Sequence, residues 1–219
     1  MSASVPPTQL YLHQARDSPS SKECMDIYDK WAATYNAEVG DSAQSYVAPV
    51  LAAQAAIKYK AAKSPADSVI LDAGCGTGLV GQALAISGAR AIDGIDLSQP
   101  MLDIARDTGA YRDLAQADMN KPIAQKDDTY DIVSCVGTFT LGHVGPDPAL
   151  RELVRVTKPK GIVVATILQQ IWAPGGFEAE VEKLRDEGVV EVLSTDLIDY
   201  VKGHGDKAVL LIIQKSHRA

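Results

Sequence analysis

Apolar positions along this chain recur in two spacings, and the change from one to the other divides it. From residue 21 they fall at i, i+3 and i+4, as Cys24, Ile27, Tyr28, Trp31 and Tyr35, which predicts an amphipathic helix with an aromatic stripe. A second, alanine-rich helix is predicted over about 43–63, interrupted near Pro49, because proline removes a backbone donor and crowds the preceding turn. Ser64-Pro65-Ala66-Asp67 then breaks the pattern. Beyond it, short and nearly continuous apolar runs alternate with amphipathic segments. The runs predict strands at 69–72, 89–95, 113–116, 130–136 and 162–168, and the segments between predict helices at 78–87, 99–108 and 148–156. Such alternation builds βαβ units on one mostly parallel sheet. After residue 168 it stops: a charged helix at 177–188 precedes strands at 189–193 and 208–213, joined through a connection containing Gly203 and Gly205.

The first strand ends in Asp72 and opens into Gly74, Gly76 and Gly78, followed directly by helix. Glycines at every second position suit a turn that needs positive φ and a ligand lying close to the backbone. The N–H groups that open the helix attract a negatively charged ligand group. A dinucleotide fingerprint would place its third glycine at position 79, which is Leu79, and a P-loop would follow its glycines with lysine, which is absent here. About twenty residues on, Ala91-Ile92-Asp93-Gly94-Ile95-Asp96 reads as a strand ending in an acid, placed to accept hydrogen bonds from both hydroxyls of a ribose. Ser98 follows as an N-cap, with Pro100 tolerated in the first turn of the next helix.

The sequence D-x-G-x-G-x-G from Asp72 to Gly78 resembles motif I of the class I S-adenosylmethionine (SAM)-dependent methyltransferases. Four further stretches are similar in the same order: Gly94 to Met101, Ala117-Asp118-Met119, Asp131 to Val136, and Leu153 to Gly161. The segment Tyr28 to Asn36, the run Cys75-Gly76-Thr77-Gly78-Leu79-Val80, Val136-Gly137-Thr138, and Leu153-Val154-Arg155-Val156-Thr157-Lys158-Pro159 resemble the small methyltransferase-like proteins of the Williams–Beuren type and their microbial relatives. That likeness covers residues 26–168; Lys160 stands where a glycine is usual. The fold implied is α/β: a Rossmann-like class I methyltransferase fold with a seven-stranded, mostly parallel sheet, an antiparallel last strand and helices on both faces. The cofactor implied is SAM, with S-adenosylhomocysteine (SAH) as product.

The resemblance also assigns roles by position. Gly74, Gly76 and Gly78 shape the place of the methionine end, and Asp72 either orients that loop, reaches the cofactor ammonium through water, or caps nearby N–H groups. Asp96 takes the ribose and Asp118 the adenine amino group, with Met101 beside the ring and Met119 offering it a backbone N–H. A methionine on a helix is more often core, which is the competing reading of Met101. Cys135 ends the fourth strand under the sulfonium, where a thiol packs more readily than it reacts. Tyr28 and Tyr35 either cover the cofactor or bury an ordinary apolar stripe. Tyr11 and His13 are candidates for a lid or for a surface arm. His143, in the loop after strand four, is the candidate general base by position, and a lone loop histidine is also commonly structural. Thr138, Phe139, Trp172 and Tyr200 are candidates for the acceptor rim. No metal-ligand set is recognisable.

Composition narrows the picture further. The chain has 219 residues, 46% of them hydrophobic, enough for one domain with a substantial core. We expect a loosely ordered arm at 1–20 and one domain at 21–219, comprising lid helices (21–63), a cofactor-binding core (67–168) and a C-terminal helix with strands (169–219). Three cysteines without a Cys-x-x-Cys pair give no disulfide framework and no structural zinc, and the start of the chain has no signal-peptide pattern, so a cytoplasmic setting is expected. A net charge of -7 argues against a nucleic-acid partner, and no apolar run reaches membrane-spanning length. A monomer or homodimer is expected. Motifs of nucleobase and protein-arginine methyltransferases are missing: Ser134-Cys135-Val136-Gly137 stands at strand four, and Glu152 has no partner glutamate. What remains is methyl transfer to a small molecule on O, N, S or C by in-line displacement. The alternatives are a SAM-binding protein of the same fold that transfers no methyl, acting as a regulatory partner or in a different rearrangement, and a nicotinamide oxidoreductase, which Leu79 disfavours.

Overall fold

The structure, a computed structural model, describes Ile27, Lys30 and residues 46–60, 63–202 and 205–217. The expected roles of Tyr11, His13, Tyr28 and Tyr35 fall outside the described residues. The first complete helix is α1 (Ala48–Tyr59). Pro49 sits in its first turn, where a missing N–H costs nothing, so the proline opens this helix instead of bending it. A single 3-10 turn (Pro65–Asp67), capped by the Ser64 hydroxyl, leads to β1 (Val69–Ala73).

There follow α2 (Leu79–Ile86), β2 (Ala91–Asp96), α3 (Gln99–Asp107), β3 (Asp113–Gln116), β4 (Tyr130–Phe139), α4 (Ala149–Val156) and β5 (Thr157–Leu168). The chain ends with the short α5 (Gln169–Trp172), α6 (Phe177–Asp186), β6 (Val190–Asp199) and β7 (Lys207–Lys215). Seven strands form one sheet in the order β3-β2-β1-β4-β5-β7-β6. The first five are mutually parallel, and β7 runs antiparallel between β5 and β6. Helices cover both faces, which is why β1, β4 and β5 read as apolar runs without alternation: Ile70, Leu71, Ile132, Val133, Ile162 and Val164 are all buried.

Three boundaries differ from expectation. Strand β5 begins at Thr157, which pairs with Tyr130 before a register shift, and Lys160 takes φ +61 in the irregular stretch that follows. Strand β6 continues to Asp199, through the polar Ser194-Thr195-Asp196, because ladder pairing to β7 holds a sheet edge that needs no apolar side chains. Strand β4 runs on to Phe139, past the irregularity between Cys135 and Phe139.

One acid ties the N-terminal edge of the sheet. Asp131 Oδ2 accepts the Val69 N–H at 2.9 Å and the ammonium groups of Lys63 at 2.8 Å and Lys158 at 3.0 Å. Burial alone would raise its pKa, but these three donors outweigh it and hold the carboxyl down at about 2. At the opposite edge the order of the strands decides the site. The chain winds outward through β1, β2 and β3, then crosses back to β4 on the other side of β1, so connections diverge above the C-terminal ends of β1 and β4 and leave a crevice. Among the described residues no helix is long and apolar enough to cross a membrane.

Candidate functional site

A cleft of about 1010 Å³, open solvent space included, lies at that switch point. One wall is the glycine turn, where Gly74, Gly76 and Gly78 all take positive φ, at 72, 52 and 94°. They do so for three different reasons. A Cβ on Gly74 would stand 2.0 Å from Thr138 Oγ1, so the missing side chain lets β4 close on the turn. A Cβ on Gly76 would meet nothing within 4 Å, and this residue lines the cleft. Gly78 is not on the cleft wall; it backs onto Tyr111, whose Cε2 would lie 3.0 Å from a Cβ there. The turn is anchored to β2 by the N–H groups of Gly74 and Cys75, which donate to the Ile95 carbonyl at 2.7 and 2.9 Å.

Asp96 stands where β2 ends and enters the cleft wall. Its Oδ2 accepts the Gly76 N–H at 2.8 Å and its Oδ1 the Ser98 N–H at 2.9 Å, while the Ser98 hydroxyl caps α3 through the Met101 N–H at 3.3 Å. A carboxylate accepts along several lone-pair directions, and these two bonds fix its orientation. Asp118, two residues past β3, accepts the Asn120 N–H at 3.0 Å and faces the Lys121 ammonium at 3.0 Å. Burial pushes its pKa up, and the Lys121 and Asn120 donors more than offset this, so the carboxyl stays below its usual range and is ionised at neutral pH. Met101 and Met119, both buried, line the cleft with Leu97, Ala117 and Asn120.

Asp72 lies behind this wall. It is fully buried, with Oδ2 receiving the Tyr111 hydroxyl at 2.7 Å and Oδ1 the Ser134 hydroxyl at 2.9 Å. Desolvation raises its pKa to about 6, against those two hydrogen bonds. Tyr111 is wedged among glycines: a Cβ on Gly81 would come within 2.3 Å of its ring, and one on Gly94 within 2.9 Å. Asp72 is therefore held behind the turn by Tyr111, by Ser134 of β4 and by the backbone N–H of Gly81 in α2.

The far wall is built by the end of β4 and the loop after it. Val136, Gly137, Thr138, His143 and Val144 line it, together with Tyr46 and Pro49 from the start of α1. His143 Nδ1 lies 2.5 Å from the Thr140 hydroxyl. Cys135 is fully buried off the cleft, and desolvation drives its thiol pKa upward. Phe139 is also off the wall, packed on Phe177 with ring centroids 5.0 Å apart. Trp172 is half-buried against the core and does not line the cleft. Tyr200 is buried, but its hydroxyl reaches the Tyr46 hydroxyl at 3.2 Å. Sequence reasoning passed over Tyr46, Asn120 and Tyr111. Neither Tyr46, read as part of a helix that Pro49 interrupts, nor Tyr111 carried a local signal.

A family profile described as a methyltransferase domain matches residues 70–161. Human methyltransferase-like protein 27 is 31% identical over 194 residues, which cover 87% of this chain and 77% of that protein. The ubiquinone biosynthesis O-methyltransferase of Bordetella pertussis is 35% identical over 107 residues, 46% of this chain and 43% of its own length. Among solved structures, the [4+2]-cyclase SpnF superposes with a TM-score of 0.69 at 20% identity, covering 90% of this chain and 97% of that one. At that identity the likeness speaks for the fold.

Proposed function

Since this chain belongs to the class I SAM-dependent methyltransferases, whose cofactor is SAM, we propose that it transfers the cofactor's methyl group to a small, uncharged acceptor. The observation that carries this reading is the joint between Asp96 and the glycine turn. The carboxylate is bonded to the Gly76 and Ser98 N–H groups and stands on the same cleft wall as Gly74 and Gly76. In this reading Asp96 holds the ribose hydroxyls, Asp118 and the Met119 backbone hold the adenine, and Gly74 to Gly76 receive the methionine end.

Bound SAM supplies an already electrophilic methyl on its sulfonium. What the chain has to contribute is alignment and exclusion of water. Thr138, close against Gly74, and Gly137 beside it fit the wall along which an acceptor would approach. His143 is the proposed proton acceptor for a nucleophile that arrives protonated, oriented by its contact with Thr140.

Titration calorimetry of the whole chain with SAM, SAH and NADH tests the cofactor site. Saturable binding of SAM and SAH with no heat from NADH is the expected result, and NADH binding with SAM silent would refute it. Transfer of labelled methyl from SAM to any of a panel of neutral acceptors then tests the activity. Tight SAM binding with no transfer across the panel would favour a member of the fold that transfers no methyl.

A further inference from the structure

The polar groups of the cleft are sorted by charge. Among the described lining residues the two carboxylates, Asp96 and Asp118, both stand on the β2 and β3 side. The opposite wall offers Pro49, Val136 and Val144 as apolar surface, with Tyr46, Thr138 and His143 for polarity. Among the described residues that line that wall there is no carboxylate, ammonium or guanidinium. A charged acceptor would lose its hydration there without a counter-charge, whereas a neutral one would not.

Tyr46, on this wall, meets Tyr200, which is buried behind it and does not itself line the cleft; the two come from distant parts of the chain. Their rings stand edge to face with centroids 5.0 Å apart, and their hydroxyls are 3.2 Å apart. A β-bridge between Tyr46 and Val201 holds the two segments together. Both hydroxyls crowd Gly137, where a Cβ would lie 2.7 Å from the Tyr46 oxygen and 3.4 Å from the Tyr200 oxygen. Gly137 is adjacent in sequence to Thr138, whose hydroxyl abuts Gly74 of the turn. The hydroxyl pair is therefore one residue along the chain from the point where the far wall touches the proposed cofactor wall.

We propose that this pair is the recognition point for the acceptor, and that the acceptor is an uncharged aromatic molecule bearing a hydroxyl; this rests on the methyltransferase reading of the same cleft. A phenol hydroxyl rotates and can both donate and accept, so two of them side by side can reorganise their mutual bond around a ligand hydroxyl. Their ring edges and faces, with the apolar wall, suit an aromatic body. Phenylalanine at either position would keep the ring and remove the hydroxyl.

Binding to the SAH-saturated chain tests the proposal, using 2-naphthol, naphthalene and 2-naphthoate as probes. In the unaltered chain 2-naphthol should bind about tenfold more tightly than naphthalene or 2-naphthoate. Tyr46→Phe and Tyr200→Phe should each bring 2-naphthol to within about threefold of naphthalene, while SAH affinity stays within about twofold. Equal affinity for 2-naphthol and naphthalene in the unaltered chain overturns the proposal, as does a gap that survives both substitutions. A loss of SAH affinity in the Phe variants also overturns it, by assigning the pair to the cofactor. Failure of the unaltered chain to bind SAH at all would instead overturn the methyltransferase reading, and this proposal with it.

Discussion

Asp72→Asn offers a sharp test of how the glycine turn is supported. Asp72 is buried without a cation, held by the hydroxyls of Tyr111 and Ser134 and the Gly81 N–H, and desolvation raises its pKa from 3.8 to about 6. The native state therefore binds a proton here more tightly than the unfolded chain does. The stability this residue contributes is fully present below pH 3.8 and is lost as the pH rises through about 6. Complete titration corresponds to about 3 kcal/mol, of which about 1.4 kcal/mol falls between pH 5 and pH 8. Asparagine keeps the shape and has no proton to lose, and either hydroxyl can turn to accept from its amide. Urea unfolding of both chains at pH 5 and pH 8 should thus show the variant gaining on the parent by about 1.4 kcal/mol across that interval. A difference that does not change with pH, or one that shrinks, would refute the assignment of Asp72 as a buried, uncompensated acid. Tyr111→Phe removes one of the bonds that restrain the shift, so in that background the same loss should extend to higher pH.

Other outcomes follow from the same geometry. Asp96→Ala should weaken SAM binding by a few kcal/mol in calorimetry, through the loss of charge-assisted bonds and of the acceptor for the Gly76 N–H; unchanged affinity would remove the residue from the cofactor site. Gly81→Ala should destabilise the fold by about 1–3 kcal/mol, because its Cβ would stand 2.3 Å from the Tyr111 ring. Chemical unfolding of Gly81→Ala combined with Tyr111→Ala should show strong coupling between the two sites. Asp131→Ala should cost about 2 kcal/mol at neutral pH, measured by urea unfolding, since its carboxyl is held at about 2 by Lys63, Lys158 and the Val69 N–H. Lys160→Gly should raise stability slightly, by about 0.5–1 kcal/mol in thermal or urea unfolding, by relieving a side chain held at φ +61.

Much of this molecule was legible in its sequence, because the rules involved are local. A buried parallel strand must be apolar on both faces, so β1, β4 and β5 stood out as runs. Ser98 announced the start of α3 by capping it, and the spacing of Asp72, Gly74, Gly76 and Gly78 announced the turn. The acid at the end of β2 was legible for the same reason: strand ends at a switch point face the crevice. Pairings between distant segments carried no such signal. The polar half of β6 is a strand only because β7 lies beside it, and Pro49 could be placed at the start of a helix only once that start was known.

The sequence by itself determined the alternation, the glycine turn and the acids that flank the cleft, since each depends on neighbours within a turn or a strand. Only the tertiary structure decided which glycines serve the cleft. Gly76 borders open space, Gly74 makes room for Thr138, and Gly78 and Gly81 make room for Tyr111, all through contacts across the sheet that no local pattern encodes. It decided also that Phe139, Trp172 and Cys135 leave the cleft and that Tyr46 joins it. A side chain's neighbours depend on strand order and register, and those are settled by packing over the whole domain.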